Sequence, residues 1–508
     1  MRPKEDYLGA HPLKRALIAV AYFFIGVWNG IVGFFIALPG KLKNAAIGFA
    51  KAVKNYIFGF IHGHWSVKLS YVIMGAGNFF AGQRIKGLLF FIIEAAFVAV
   101  MVLFGGEALV GLVTLGTVTQ QNGYDEFGNP IVDEWGNPLV IHGDNSLLML
   151  LYGVCAVLIV IAFLAIYFST VKSARAVRES IERGQKPLTF RQDIMSLLDK
   201  KLYRTMLFIP ILCVLAFTVI PLIYMILMAF TSYDHEHLPP ASLFDWIGFE
   251  MFGKVFKSAQ IAGTFFPVLG WTLVWAFCAT ISCYFAGILL ALLINKKGIV
   301  GRPIFRTIFV LTIAIPQFIT LLTMNNFLHI DGPLNTLLLE WGIIDERIGF
   351  LTDVSNNAIL PRISVLVVNL WIGVPYTMLI TTGILMNIPK DLFEAAKIDG
   401  ASPVRLFASI TLPYVLFVTG PYLIQQFIGN INNFNIIYLL TSGGPSVPNY
   451  HIAGKTDLLI TWLYKLTVEQ NDYNLGSVIG IYTFICCAVF SLLAYSRSSA
   501  VKKEEDFQ

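Results

Sequence analysis

Eight stretches of about twenty residues, each almost free of charge, limit what this chain can become, because that is the length that crosses the hydrocarbon core of a membrane as a helix. They lie near 87–104, 147–170, 205–230, 268–294, 303–328, 363–386, 413–434 and 476–496. Only a helix satisfies every backbone group within one such segment. The sequence therefore predicts an all-α polytopic membrane protein with about eight transmembrane helices. Bulk composition agrees: 508 residues, 56% hydrophobic and 13% charged, with a mean hydropathy of +0.70. A net charge of +5, from 36 basic and 31 acidic residues, is too small to point to nucleic acid. All six cysteines (Cys155, Cys213, Cys278, Cys283, Cys486, Cys487) fall in apolar runs, which suits packing and argues against a disulfide or zinc framework.

Charge alternates between the loops. Residues 105–146 hold six acids and no lysine or arginine, whereas 171–204 hold nine lysines and arginines. Segment 295–306 is basic and 329–362 leans acidic. The positive-inside rule then places 171–204, 295–306, 387–412 and both termini on the cytoplasmic side. Residues 1–86 read as an N-terminal cytoplasmic or interfacial helical region. There Ala16–Pro39 is apolar but glycine-broken, and spanning would put Arg2, Lys4, Lys14 and Arg15 outside, so an interfacial or re-entrant course is expected. No cleavable signal is expected, since the apolar run after Arg15 is too long and no small-residue cleavage site follows it. A transmembrane pair occupies 87–204, and a six-helix core occupies 205–508. The first outer loop carries a tandem repeat, DEFGNPIV (125–132) and DEWGNPLV (133–140), whose Gly-Asn-Pro turns predict a small exposed hairpin or turn stack.

Between two of the spans lies a soluble-looking island, DLFEAAKIDGASPVRLFASITLP (391–413). Pro389 is suited to opening a helix on which Leu392, Ala395, Ala396 and Asp399 share a face. Gly400 stands where a left-handed C-terminal cap is wanted. Ser402 then Pro403 form an N-cap and a first-turn proline for a second helix. The spacing of Glu394, Ala395, Ala396, Gly400, Ile410, Leu412 and Pro413 resembles the EAA loop of permease subunits of binding-protein-dependent ABC importers. The resemblance implies a type I importer permease fold in the C-terminal part. It also implies that this loop docks in a cleft on a separate ATP-hydrolysing subunit. ATP and Mg would be bound by that partner, with no cofactor, metal or catalytic residue in this chain.

Uncharged amides at membrane depth are the other informative feature. Gln426, Asn430 and Asn433 follow i, i+4, i+7 spacing, Asn369 and Trp371 precede Gly373-Val374-Pro375-Tyr376, and Gln317 follows Pro316. Amides both donate and accept, which suits sugar hydroxyls, and Trp371, Tyr376, Phe427 and Phe434 could offer flat faces. The bland alternative is hydrogen-bond glue between helices. Across roughly 265–497 the chain is similar to the larger permease subunit of maltose and maltodextrin importers (the MalF type). By position that resemblance nominates Ile313, Gln317, Asn369, Ile372, Gly373, Asn430 and Asn433 for a sugar site. Ile313 and Gln317 depart from the maltose pattern, which leaves the sugar open. The resemblance further implies a second permease, two ABC ATPase subunits and an extracytoplasmic sugar-binding protein, in the cell membrane of a prokaryote.

Two rival readings stand beside this one. Glu94, the one carboxylate well inside a secure span, admits an ion-coupled secondary transporter, although a partnered structural role is favoured. A membrane scaffold would instead leave the amide faces packed and dry. Several motifs are decoys. GAGNFFAG (75–82) has Phe80 where a dinucleotide loop needs glycine, and Asn449 stands where a phosphate loop ending in Gly454-Lys455-Thr456 needs its first glycine. His235 and His237, beside Asp234 and Glu236, read as an external polar loop before a metal site.

Overall fold

The computed structural model describes residues 40–497 apart from 41–42, 45–46, 49, 52, 124–129, 133–135, 137, 139 and 297. The course of 16–39, the tail after 497 and most of the 125–140 repeat lie outside the described residues. The chain forms two units, one of Met1–Met225 with His237–Asp245, the other of Ile226–Glu236 with Trp246–Gln508.

In the first unit, short helices α1 (Trp65–Leu69) and α2 (Ala76–Phe80) precede α3 (Arg84–Val100), which passes through a π-turn into α4 (Gly106–Thr114). Strands β1 (Gln121–Asn122) and β2 (Val140–Ile141) pair antiparallel with Gln121 opposite Ile141. Helix α5 (Ser146–Glu182) starts at Asn145, whose side chain accepts from the amides of Leu147 and Leu148. Helix α6 (Phe190–Leu198) opens with a capping box of Thr189 and Gln192. Helix α7 (Leu202–Val214) continues through a second π-turn into α8 (Ile220–Met228).

Gly75 and Gly77 serve close packing. Gly75 has φ +82°, and a Cβ there would fall 2.2 Å from the Gly87 carbonyl oxygen. Asn78, fully buried, donates to Gln83 at 2.8 Å and to Ser173 at 3.1 Å, and Gln83 donates to the Leu188 carbonyl at 2.9 Å. Glu94 accepts from the Met74 amide at 2.8 Å, so this carboxylate braces the turn before α2.

The second unit runs α9 (Glu250–Lys257), α10 (Ala259–Asn295), α11 (Arg302–Ala314), α12 (Gln317–Leu328), α13 (Pro333–Glu340) and α14 (Ile359–Met386). After these come α15 (Lys390–Ile398), α16 (Pro403–Leu406), α17 (Leu412–Ile431), α18 (Phe434–Thr441), α19 (Leu459–Tyr464) and α20 (Tyr473–Arg497). Helix α10 is the central post. Gly287 lets it approach α14 so closely that a Cβ would lie 2.5 Å from the Thr377 Cβ, the small-residue contact by which membrane helices pack. Trp275, fully buried on α10, packs with Leu321, Val365 and Ile437 of α12, α14 and α18.

Among the described residues seven helices are long and apolar enough to cross a membrane, and the α11–α13 segment makes an eighth if taken as one bent span. The sequence predicts one continuous helix at 303–328; the structure bends it by 91° at Ile315–Pro316. Ile315 is extended (ψ 127°), as a residue before proline prefers. Pro210, Pro375 and Pro421 remain inside continuous helices.

Two ion pairs fix segments outside the spans. Asp457 is fully buried and accepts from Lys465 Nζ and the Gly454 amide, both at 2.7 Å. Burial pushes its carboxyl above the ordinary range and Lys465 opposes that rise. Removing one member strands the other charge. Lys465→Met should cost about 3–5 kcal/mol, read as a lower Tm in detergent, and adding Asp457→Leu should recover most of the loss. His235 Nδ1 lies 2.8 Å from an Asp472 oxygen, and that hydrogen bond raises the imidazole pKa above its ordinary 6.5. The pair is intact below pH 6.5 and fades as pH rises through the raised value. Asp472→Asn should move the His235 titration down in an NMR pH series.

Candidate transport pathway and coupling elbow

The 391–413 island folds as an exposed elbow. Pro389 sits at the N-cap of α15, one residue before the position expected from sequence. The C-terminal turn closes with Gly400 at φ +75°. The Gly400 amide donates to Lys397 at 3.0 Å and the Ala401 amide to Ala396 at 2.9 Å, the paired bonds of a Schellman cap. Ser402 accepts from the Arg405 amide at 3.3 Å to start α16, which passes through a π-turn (Phe407–Thr411) directly into α17. Glu394, Ala395 and Gly400 are exposed and Ala396 is half-buried; Ile410 and Leu412 are half-buried where the elbow becomes the span, and Pro413 is exposed at its first turn. Leu392, Ile398 and Val404 are exposed apolar residues on the same elbow, with Ile398 at 86%.

A cavity of about 640 Å³ opens at the break between α11 and α12. Ile313 comes from the end of α11 and Gln317 from the start of α12. Asn369, Ile372 and Gly373 come from α14, Asn430 from α17, and Asn433 from the turn before α18. All seven nominated residues line this one space, together with Trp371, Tyr376 and Gln426. Among its described lining residues none is charged.

The amides are held in place. Asn430 donates to Thr280 Oγ1 of α10 at 3.0 Å, and its backbone carbonyl accepts from Trp275 Nε1 at 3.1 Å. Asn433 donates to Asn430 Oδ1 at 3.3 Å, Asn435 to Gln317 at 3.4 Å, and Asn369 lies 3.3 Å from Cys283 Sγ. Asn433 does not share a continuous helix with Gln426 and Asn430: α17 stops at Ile431, and Asn433 caps α18 by accepting from the Ile436 amide. Phe427 and Phe434 also differ from expectation. Phe427 stacks on Phe490 with centroids 3.8 Å apart, and Phe434 packs against Tyr438 and Tyr464. Thr377 and Tyr422 were not singled out in the sequence, yet they extend the Asn369 and Gln426 faces by two turns and one turn toward the elbow.

Residues 283–502 match the family described as "Binding-protein-dependent transport system inner membrane component". The chain is 34% identical over 435 residues to the galactooligosaccharides transport system permease protein GanP of Bacillus subtilis, covering 85% of this chain and 97% of that one. It is 33% identical to the maltodextrin transport system permease protein MdxF of the same organism, over 85% and 95% of the two chains. The protein belongs to this family of permeases. Similarity to MalC of Streptococcus pneumoniae, a maltodextrin transport system permease protein, is 33% identity over 85% of this chain and 96% of the relative. The elbow and the cavity both lie within the matched residues.

The elbow's cap gives a direct test of its geometry. Gly400→Ala places a Cβ at φ +75°, a strain of about 1–2 kcal/mol. Hydrogen exchange at the C-terminal turn of α15 should then accelerate by roughly 5–30-fold.

Proposed function

We propose that this permease forms one half of the membrane pathway of an ATP-driven importer for oligosaccharides. The observation that carries this reading is a cavity of about 640 Å³, amide-lined and uncharged, whose walls α14 and α17 lead directly to the exposed elbow. Asn369, Gln426, Asn430 and Asn433 offer paired donors and acceptors to sugar hydroxyls, and Trp371 and Tyr376 offer ring faces. The names of the relatives, which transport maltodextrin and galactooligosaccharides, support the substrate class. Ile313, Gln317, Ile372 and Gly373 complete the wall.

In this reading the elbow faces the cytoplasm, as do both termini. A second permease completes the pathway, two ABC ATPase subunits dock at Glu394–Gly400 and at the equivalent loop of the partner, and a binding protein delivers the sugar from outside. ATP and Mg belong to the ATPase subunits, and this chain performs no chemistry of its own. Closure of the ATPases moves the elbow and, through α17 and α14, the cavity walls. Each ligand shifts the inward–outward balance only by its different affinity for the two states. The ion-coupled alternative rests on Glu94, whose carboxylate is already engaged by the Met74 amide.

Gly400→Pro removes the amide that donates to Lys397 and forces φ away from +75°. Sugar uptake by the reconstituted complex should fall at least about tenfold, a change of about 1.4 kcal/mol in coupling, while the chain stays inserted and ATP hydrolysis loses its response to sugar. Uptake at the wild-type rate would sink the proposed role of the elbow.

A further inference from the structure

The large cavity does not end at its amides. On the side toward the elbow it continues into a recess of about 60 Å³ between α10, α14 and α17. Asn369, Gly373, Tyr376, Gln426 and Asn430 line both spaces, so the two share a mouth. Past the mouth the wall includes Cys283 of α10, Thr377 of α14 and Tyr422 of α17. Thr377 lies two turns from Asn369 toward the end of α14, and Tyr422 two turns from Asn430 toward the start of α17.

Size and polarity define what fits. The recess is the size of a few waters or one small polar substituent, and a pyranose ring is too large. Thr377 Oγ1 and Tyr422 OH are 3.4 Å apart, well beyond the usual 2.7–2.8 Å of a hydroxyl pair. Thr377 Oγ1 also donates to the Gly373 carbonyl at 3.4 Å, which leaves it able to accept, and Tyr422 OH can donate. Tyr284, also on the wall, directs its hydroxyl to Thr419 at 2.6 Å and is already satisfied. Gly373 keeps the mouth clear, since a Cβ there would stand 2.8 Å from Cys283 Sγ.

We propose that this recess is a specificity subsite for the exocyclic hydroxymethyl group of a hexose unit, whose hydroxyl bridges Thr377 Oγ1 and Tyr422 OH. The inference rests on the sugar-import reading and narrows it to hexose-based oligosaccharides. The group is small enough for the recess, donates to Thr377 Oγ1 and accepts from Tyr422 OH. The ring that carries it stays in the larger cavity, against Tyr376 and the amides.

The test uses the reconstituted transporter with its partner permease, ATPase subunits and binding protein. Uptake of maltotriose and of β-1,4-galactotriose is compared with that of their 6-deoxy analogues, which carry methyl groups in place of the hydroxymethyl groups. Tyr422→Phe and Thr377→Val delete one hydroxyl each at nearly constant volume. Because the same binding protein serves every variant, its own preference cancels in the ratio of ratios. The natural sugar should be favoured over its analogue, and each variant should cut that preference by about three- to tenfold, the span of one hydrogen bond. A purely structural role would lower uptake of both compounds and leave the ratio fixed. An unchanged ratio in both variants, with sugar uptake retained, overturns the subsite and leaves the import reading standing. Uptake of none of the four compounds by the wild type overturns both.

Discussion

Inside hydrocarbon, a backbone or amide group without a partner costs several kcal/mol, so polar irregularity is tolerated only against protein or a water-filled space. That constraint organises the second unit. The break at Ile315–Pro316 leaves the last carbonyls of α11 and the first amides of α12 without intrahelical partners. The break at Asn432–Asn433 does the same between α17 and α18, with only one amide capped by a side chain. Residues beside both breaks face one cavity. A void at membrane depth is what lets these helices be irregular, and the irregular helices in turn furnish it with donors and acceptors.

Long central helices hold that space open. Helix α10 supplies Trp275 and Thr280 to fix Asn430, and Cys283 to meet Asn369, while its Gly287 lets Thr377 of α14 pack closely against it. At Asn430 and Asn369 the amide nitrogen is spent on α10, and Asn430 Oδ1 accepts from Asn433. Asn430 is thus interhelical glue that also lines the cavity wall.

The spans and the elbow were legible because their signals are local. A run of apolar residues needs no partner to declare itself, and Gly400, Ser402 and Pro403 carry cap chemistry that reads the same in any fold. The nominated cavity residues came from spacing and resemblance together, and the structure gathers them. What was not legible depended on tertiary choices. Pro375 and Pro316 look alike in sequence, yet Pro375 is buried within continuous α14, whereas Pro316 is exposed where the chain turns through 91°. Asn433 read as one more turn of α17, but the Asn-rich run around 430–433 competes for backbone bonds and ends the helix there. Phe427 and Phe434 have the right chemistry for a sugar face, but packing directs Phe427 toward Phe490 and Phe434 toward Tyr438 and Tyr464.

The connection between elbow and cavity is covalent and short in structural terms. From Ser402 the chain runs through α16, a π-turn and α17 to Asn430, about 40 Å at 1.5 Å per residue. Helix α14 reaches the other side of the elbow, ending at Met386 with Pro389 capping α15. A displacement of α15 therefore acts on two walls of the cavity at once, with opposite chain directions and no intervening loop longer than a few residues. On the α17 side the π-turn at Phe407–Thr411 sits at the foot of the lever, not beside the amides. The upper part of α17, pinned to α10 through Tyr284–Thr419 and Thr280–Asn430, then moves as one body with its partner helix. Force applied at the elbow would reach the cavity as a tilt of paired helices, which changes the width of the space while leaving each anchored amide on its partner.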